Sequence, residues 1–270
     1  MQVRLTEGEQ ARAAARGTDN LEAYLKCLQA NEYSSRSNIE SNALAKQLAE
    51  EAIALDPEYA SAYYALGKAH MVDVWYGTSK SPKQSVAKAM ELLQKAIVLD
   101  DTLAEAHALL GFLYSMKGQH DQGLALGEKA VTLNPNSAES HMRYGKILTF
   151  ASRYEESIPE LETAIRLNPI PPNLYVYSLG ISYCWAGQYE EAIAWCERAA
   201  RERPNSFFAR LFLTMAYSLA GRDEEARAEA AEVLRIHPKF SLERFAKRVT
   251  YKKQEDKVLV IDSLRKAGLK

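Results

Sequence analysis

Four of the nine prolines, Pro135, Pro169, Pro204 and Pro238, are spaced 34, 35 and 34 residues apart. Proline cannot continue a helix, because it lacks the N–H and its ring meets the carbonyl four residues back. Helix breakers at a fixed interval mean one structural unit repeated along the chain. The residues ahead of each proline recur as well: Ala52-x-x-Leu55-Asp56-Pro57, Ala130-x-x-Leu133-Asn134-Pro135 and Ala164-x-x-Leu167-Asn168-Pro169. Weaker copies end at Arg203-Pro204 and His237-Pro238. One step of 34 before Pro135 falls on Asp101, inside Leu99-Asp100-Asp101, and Pro57 lies a further 44 back.

Between terminators the pairs Leu66-Gly67, Leu110-Gly111, Tyr144-Gly145 and Leu179-Gly180 recur, with Leu213-Thr214 in the same place without the glycine. Seven residues after most of them comes a turn: Gly118-Gln119-His120, Ser152-Arg153-Tyr154, Gly187-Gln188-Tyr189 and Gly221-Arg222-Asp223. A helix of about 13 residues, a turn and a second similar helix fill such a period. The 40 alanines against 13 glycines and nine prolines agree, since Ala is the best helix former and Gly and Pro the worst.

These residues resemble the tetratricopeptide repeat, as in Leu179-Gly180-x-x-Tyr183, Gly187-x-Tyr189, Ala192, Cys196, Ala199 and Pro204. The resemblance implies an all-α fold, a right-handed superhelical α-solenoid of helix–turn–helix units with helical caps. Five units are expected at 58–101, 102–135, 136–169, 170–204 and 205–238. A degenerate first unit at 21–57 keeps only its second helix intact (Ala45, Ala49, Ala52, Leu55). Residues 1–20 read as an N-terminal helical cap, with Thr6-x-x-Glu9 opening a helix that stops at Gly17 and Asp19-x-x-Glu22 opening the next. Residues 239–270 read as a C-terminal cap, with a helix from about Gln254 to Ala267 covering the last apolar surface.

The second unit is ten residues too long, and the excess lies between Met71 and Val86. Ser81-Pro82-Lys83-Gln84 restarts a helix there, with Ser81 as N-cap and Gln84 at the capping-box position. Trp75 and Tyr76 are large aromatics on that edge, which either pack back on neighbouring helices or contact a partner. Pro159 falls near the fourth residue of its helix, where the missing N–H would matter little.

No catalytic or metal-binding pattern stands out. His70, His107, His120, His141 and His237 include no i, i+4 ligand pair, although His107 and His141 occupy one repeat position. Three scattered cysteines, Cys27, Cys184 and Cys196, make neither a disulfide framework nor a redox motif. Paired carboxylates such as Glu190-Glu191 open second helices, where negative charge suits the helix dipole. Lys247-Arg248 with Lys252-Lys253 reads as a solvated basic surface. The net charge of −1 argues against nucleic-acid binding, and 47% hydrophobic content against a disordered acidic chain. No apolar run is long enough for a membrane span, and Met1–Glu7 lacks a signal-peptide core. No cofactor, metal, nucleic acid or membrane insertion is expected.

In tetratricopeptide arrays the first helices line a concave channel. Carried onto this sequence, the resemblance places Tyr64, Lys68 and Met71 there in the second unit, and Phe112 and Met116 in the third. Met142, Lys146 and Phe150 follow in the fourth, Tyr177, Ile181 and Trp185 in the fifth, and Phe208, Leu211 and Met215 in the sixth. The Lys, Arg and Asn pattern that grips terminal carboxylates in chaperone-binding arrays is absent. An apolar and aromatic lining instead suits an apolar peptide or amphipathic helix, or a neighbouring copy's terminal segment. The alternatives are a small-molecule or lipid-sensing module using the same channel, and curvature that closes the channel into core. Leu5–Arg12, Asp19–Leu25, Ala52–Ala60 and Phe240–Glu243 are similar to the C-terminal repeat region of bacterial proteins built like class III adenylate/guanylate cyclases. That resemblance implies a regulatory or docking role in signalling without catalysis by this chain, in the cytoplasm, or in the periplasm if a membrane span precedes it.

Overall fold

The computed structural model describes residues 17–35, 39–75, 77–247 and 249–270. All regular structure among the described residues is helical. Most of the cap expected at 1–20, and the edge residue Tyr76, lie outside them. The chain divides into two compact units, with the boundary after Leu113. The first holds α1 (Leu21–Ser35), α2 (Ile39–Leu55), α3 (Ala60–Trp75), α4 (Pro82–Leu99) and most of α5 (Ala104–Met116). Here α1 packs on α2 and α3, α2 on α3, and α3 on α4. The second compact unit continues with α6 (His120–Leu133), α7 (Ala138–Phe150), α8 (Tyr154–Leu167), α9 (Asn173–Trp185), α10 (Tyr189–Glu202), α11 (Phe207–Leu219) and α12 (Asp223–Ile236). From α6 to α12 each helix packs on the next, and the alternate helices α7, α9 and α11 also touch in turn. Two further helices, α13 (Leu242–Ala246) and α14 (Gln254–Lys266), close the chain.

The terminator motif does its work through the residue before the proline. Asp56, Asp100, Asn134 and Asn168 each follow the last residue of a helix. Each side chain accepts the N–H two residues on, from Glu58, Thr102, Asn136 and Ile170. This local bond turns the chain and satisfies a donor beyond the helix end. Arg203 and His237 cannot do it, but their carbonyls still accept from Ser206 and Phe240. Five residues before each terminator stands a fully or almost fully buried small side chain: Ala52, Ala96, Ala130, Ala164, Ala199 and Val233.

Paired helices meet closely at Gly180. A Cβ there would lie 2.5 Å from the Cys196 sulfur and 3.2 Å from the Ala192 carbonyl oxygen. A backbone atom cannot step aside as a flexible side chain would, so the position needs glycine.

Several local expectations are corrected. The first repeat has both helices: α1 buries Ala23, Cys27 and Ala30 in a helical stripe against Ala49 and Ala52. Its cap is Asn20, whose Oδ1 accepts the Ala23 N–H, and not Asp19. Ser81 precedes Pro82 at the start of α4 but makes no side-chain capping bond. A Ser79–Ser85 hydroxyl bond at 2.8 Å ties that turn to the helix instead. The long second repeat lengthens both its helices: α3 has 16 residues and α4 has 18, against 13 for α7 and 14 for α8. Pro159 is the sixth residue of α8, deeper than expected, so the carbonyl of exposed Glu155 loses its helical donor.

The shared position of His107 and His141 has a bonding role. Tyr63, His107, His141 and Arg210 each contact the carbonyl six residues earlier, at Pro57, Asp101, Pro135 and Pro204. His141 and Arg210 also reach a carboxylate 19 residues later, Glu160 at 2.6 Å and Glu229 at 2.8 Å. A carbonyl and a carboxylate only accept, so His141 satisfies both as the imidazolium. The Glu160 bond accordingly raises its pKa above the ordinary histidine value, against the opposing effect of burial.

Because the folded-state pKa is raised, this stabilisation is complete below the unfolded value of about 6.5. It is lost as pH rises through the elevated one. His141→Gln should cost about 1.5–3 kcal/mol in urea unfolding at about pH 5.5. The difference from the parent protein should shrink by about pH 9.

Candidate functional site

Much of the expected channel lining is core. Met71, Leu211 and Met215 have no exposed surface, and Tyr64, Phe112, Met142, Ile181 and Trp185 keep less than a tenth of theirs. A partner cannot touch the first three without opening the stack. The physical reason is packing on both sides of a short helix: ten of the 13 residues of α9 are buried. In the first compact unit Trp75 packs back on Phe112, with ring centroids 6.5 Å apart, and the Lys68 ammonium lies 5.7 Å from the Tyr64 ring centre.

In the second compact unit Lys68's counterpart, Lys146, is half-buried. Burial, with the Arg143 guanidinium adding to it, pushes its ammonium down to about 7. Farther along, Tyr177 packs on Phe208 and Phe212 at 6.2 and 5.9 Å, and Phe208 and Phe212 stack at 6.2 Å. Phe208 is 40% exposed, so the cluster presents an aromatic surface to solvent. The repeat register marks Tyr177 and Phe208 but misses Phe212, four residues on along the same helical stripe.

Phe150 and Trp185 are covered by the chain itself. The segment 249–253 joins α13 to α14 and crosses the C-terminal ends of α5, α7 and α9. Thr250 donates to the Ser115 carbonyl at 3.3 Å, and the Lys252 N–H to the Phe150 carbonyl at 2.8 Å. The Tyr251 ring lies 5.5 Å from Phe150 and edge-on to Trp185 at 5.1 Å, while Tyr154 stacks on Trp185 at 5.8 Å. The Trp185 indole N–H donates to the Tyr251 hydroxyl at 3.3 Å. The aromatic surroundings bury the Tyr251 phenol and raise its pKa. At the surface Lys252 pairs with Asp121 at 2.9 Å, which holds that carboxyl below its ordinary range.

The terminal segment thus reaches well beyond the last repeat. Helix α14 packs as a cap does, burying Val260 and Leu264 against α11 and accepting the Ser218 hydroxyl at the Ser263 carbonyl, while Leu242 is buried in the same core and Phe240 packs on Phe207 at 5.6 Å. Of the basic cluster, Lys247, Lys252 and Lys253 are exposed as a solvated surface would be, and Lys252 is also paired with its backbone bound. Val249-Thr250-Tyr251, β-branched and aromatic between two helices, is the sequence signal for an extended run. Where it would lie carries no trace in the repeat period.

One turn shows how the backbone accommodates this segment. Gly118, Gly187 and Gly221 have φ of 79°, 76° and 76°, and the fourth member of the set is Ser152 at 59°. A side chain is disfavoured in that left-handed region. The Ser152 hydroxyl is what the position gains: it donates to Asp256, which also receives the Tyr154 hydroxyl, and it accepts the Lys253 N–H at 3.4 Å. The departure from glycine occurs where the terminal segment docks.

Among the described residues no group of His, Cys, Asp and Glu could hold a metal ion, and no helix is long and apolar enough to cross a membrane. Residues 145–207 and 186–246 match tetratricopeptide-repeat family models. The chain is similar to the solved structure of PilW, a type IV pilus biogenesis factor, at 18% identity over 77% of this chain and 90% of that one, with a TM-score of 0.58. It is also similar to a chain of the APC/C hetero-tetramer Cut9–Hcn1, at 13% identity over 92% of this chain and 46% of that one, with a TM-score of 0.64. A thermophilic tetratricopeptide protein of Thermus thermophilus, TTC0263, aligns at 18% identity over 70% of this chain and 98% of that one, with a TM-score of 0.53. Likeness at these identities establishes the fold alone. No curated protein matches the chain.

The two roles of Ser152 separate by substitution. Ser152→Gly relieves the left-handed backbone and loses the hydroxyl, while Ser152→Ala loses the hydroxyl only. Ser152→Gly should therefore be the more stable by about 1–2 kcal/mol. Amide exchange at Lys253 should quicken in both.

Proposed function

We propose that this chain is a non-catalytic protein-interaction scaffold whose first-helix face in the second compact unit binds an apolar or amphipathic peptide. The observation that supports this most directly is the exposed aromatic cluster of Tyr177, Phe208 and Phe212. Rigid aromatic side chains give large contact areas at low entropic cost, and they dominate the energetics of interfaces. Tetratricopeptide repeats generally mediate protein–protein contacts, which makes such a face the natural candidate. Half-buried Lys146 belongs to the same set of first helices and extends the surface along it. A second copy of the chain is one partner this face would accept.

The flanking sequences support a finer reading, in which the chain is the regulatory or docking region of a cyclase-type signalling protein, in the cytoplasm or the periplasm. Reading the gene upstream of Met1 tests that part: an in-frame class III cyclase domain is expected, and an unrelated reading frame contradicts it.

Selection of a random peptide library on the immobilised chain tests the scaffold reading. Enriched peptides should be apolar and aromatic, and Tyr177→Ala with Phe208→Ala should weaken them by at least about tenfold without altering the far-UV circular dichroism. Absence of enrichment over a bare support, or affinity unmoved by the double substitution, contradicts it.

A further inference from the structure

The segment 249–253 takes an unforced route. Two consecutive helices can be joined over open surface, yet this connection runs across the ends of three helices from earlier in the chain. Each of those ends presents last-turn carbonyls that have no partner within their own helix. The connection supplies the Lys252 N–H to the Phe150 carbonyl, and the Thr250 hydroxyl as a second donor to the Ser115 carbonyl, which also accepts the Gly118 N–H. It also sets the Lys252 ammonium against Asp121, in the first turn of α6. Between these polar contacts Tyr251 fills the gap flanked by Phe150 and Trp185. Backbone bonding, one anchored aromatic side chain and a flanking charge are the means by which an extended peptide is recognised.

We infer that residues 249–253 are a resident copy of the ligand this edge recognises: an extended peptide with an aromatic residue followed by lysine, which binds when the resident segment lifts away. The inference rests on the reading of the first-helix face as a peptide site and names the chemistry of what it takes. The partner peptide's aromatic side chain replaces Tyr251 against Phe150 and Trp185, its main chain takes the Phe150 carbonyl, and its lysine meets Asp121. The hold of the resident segment is light enough for exchange. Lys252 and Lys253 are exposed, the Lys252–Asp121 pair is a surface pair, and the Trp185 bond to Tyr251 is long at 3.3 Å. The hold is also intramolecular, so an outside peptide competes with a ligand that is always at hand.

The test uses a fluorescein-labelled peptide of the sequence Val-Thr-Tyr-Lys-Lys-Gln-Glu-Asp, which is residues 249–256, and fluorescence anisotropy on the full chain. Tyr251→Ala should bind it about tenfold tighter than the parent protein, because the occupied fraction of the site falls. Lys252→Glu, an exposed change that leaves the fold intact, should give a smaller gain in the same direction. Adding Trp185→Ala to Tyr251→Ala should abolish binding, and a peptide with Ala in place of its Tyr should not bind at all. Equal affinity for the parent protein and Lys252→Glu, or no binding to either substituted protein, overturns the inference. If this peptide fails while library peptides still bind through Tyr177 and Phe208, the resident-ligand inference falls alone. If both kinds of peptide fail, the scaffold reading falls with it.

Discussion

Helices of 13 or 14 residues are marginal in isolation. Everything here depends on each being gripped from both sides by neighbours at close range. Small residues at a fixed interval make that approach possible: alanine five residues before most terminators, and glycine where Gly180 meets the Ala192 backbone. The close approach also decides what remains for function. It turns the first helices into core, so Met71, Leu211 and Met215 are structural. What stays available is an aromatic patch at Tyr177, Phe208 and Phe212, and the helix ends.

Those ends are where the second compact unit organises its terminal segment. Short helices have many ends for their length, and each first helix finishes with carbonyls that want donors. The crossing of residues 249–253 answers this need at Phe150 and adds a second donor at Ser115. Ser152 fits the same account. It is the turn residue that keeps a side chain where its three counterparts are glycine, and its hydroxyl holds the start of α14 through Asp256 and Lys253. Backbone strain and docking coincide at one residue.

The helix pairs were legible in the sequence because their causes are local and repeated. Asn134 before Pro135, Ala130 five residues before it and Gly145 ten after it each carry one geometric duty, and the period exposes them together. Helix α1 was harder to read, since its stripe of Ala23, Cys27 and Ala30 lacks the repeat signature although it packs the same way. The candidate face was legible only in part. A register can say that Trp185 and Phe150 point to one side. It cannot say that Tyr251, about 65 to 100 residues later in sequence, lies on them, because that contact is long-range and occurs once.

The central claim is that Tyr251 sits against Phe150 and Trp185 in solution. Nuclear Overhauser measurements on protein labelled at its aromatic side chains test it most directly. With ring centroids 5.5 and 5.1 Å apart, cross-peaks from Tyr251 to both rings are expected, together with slow exchange of the Lys252 amide. A Tyr251 ring with no cross-peak to either partner, and a freely exchanging Lys252 amide, would contradict the account.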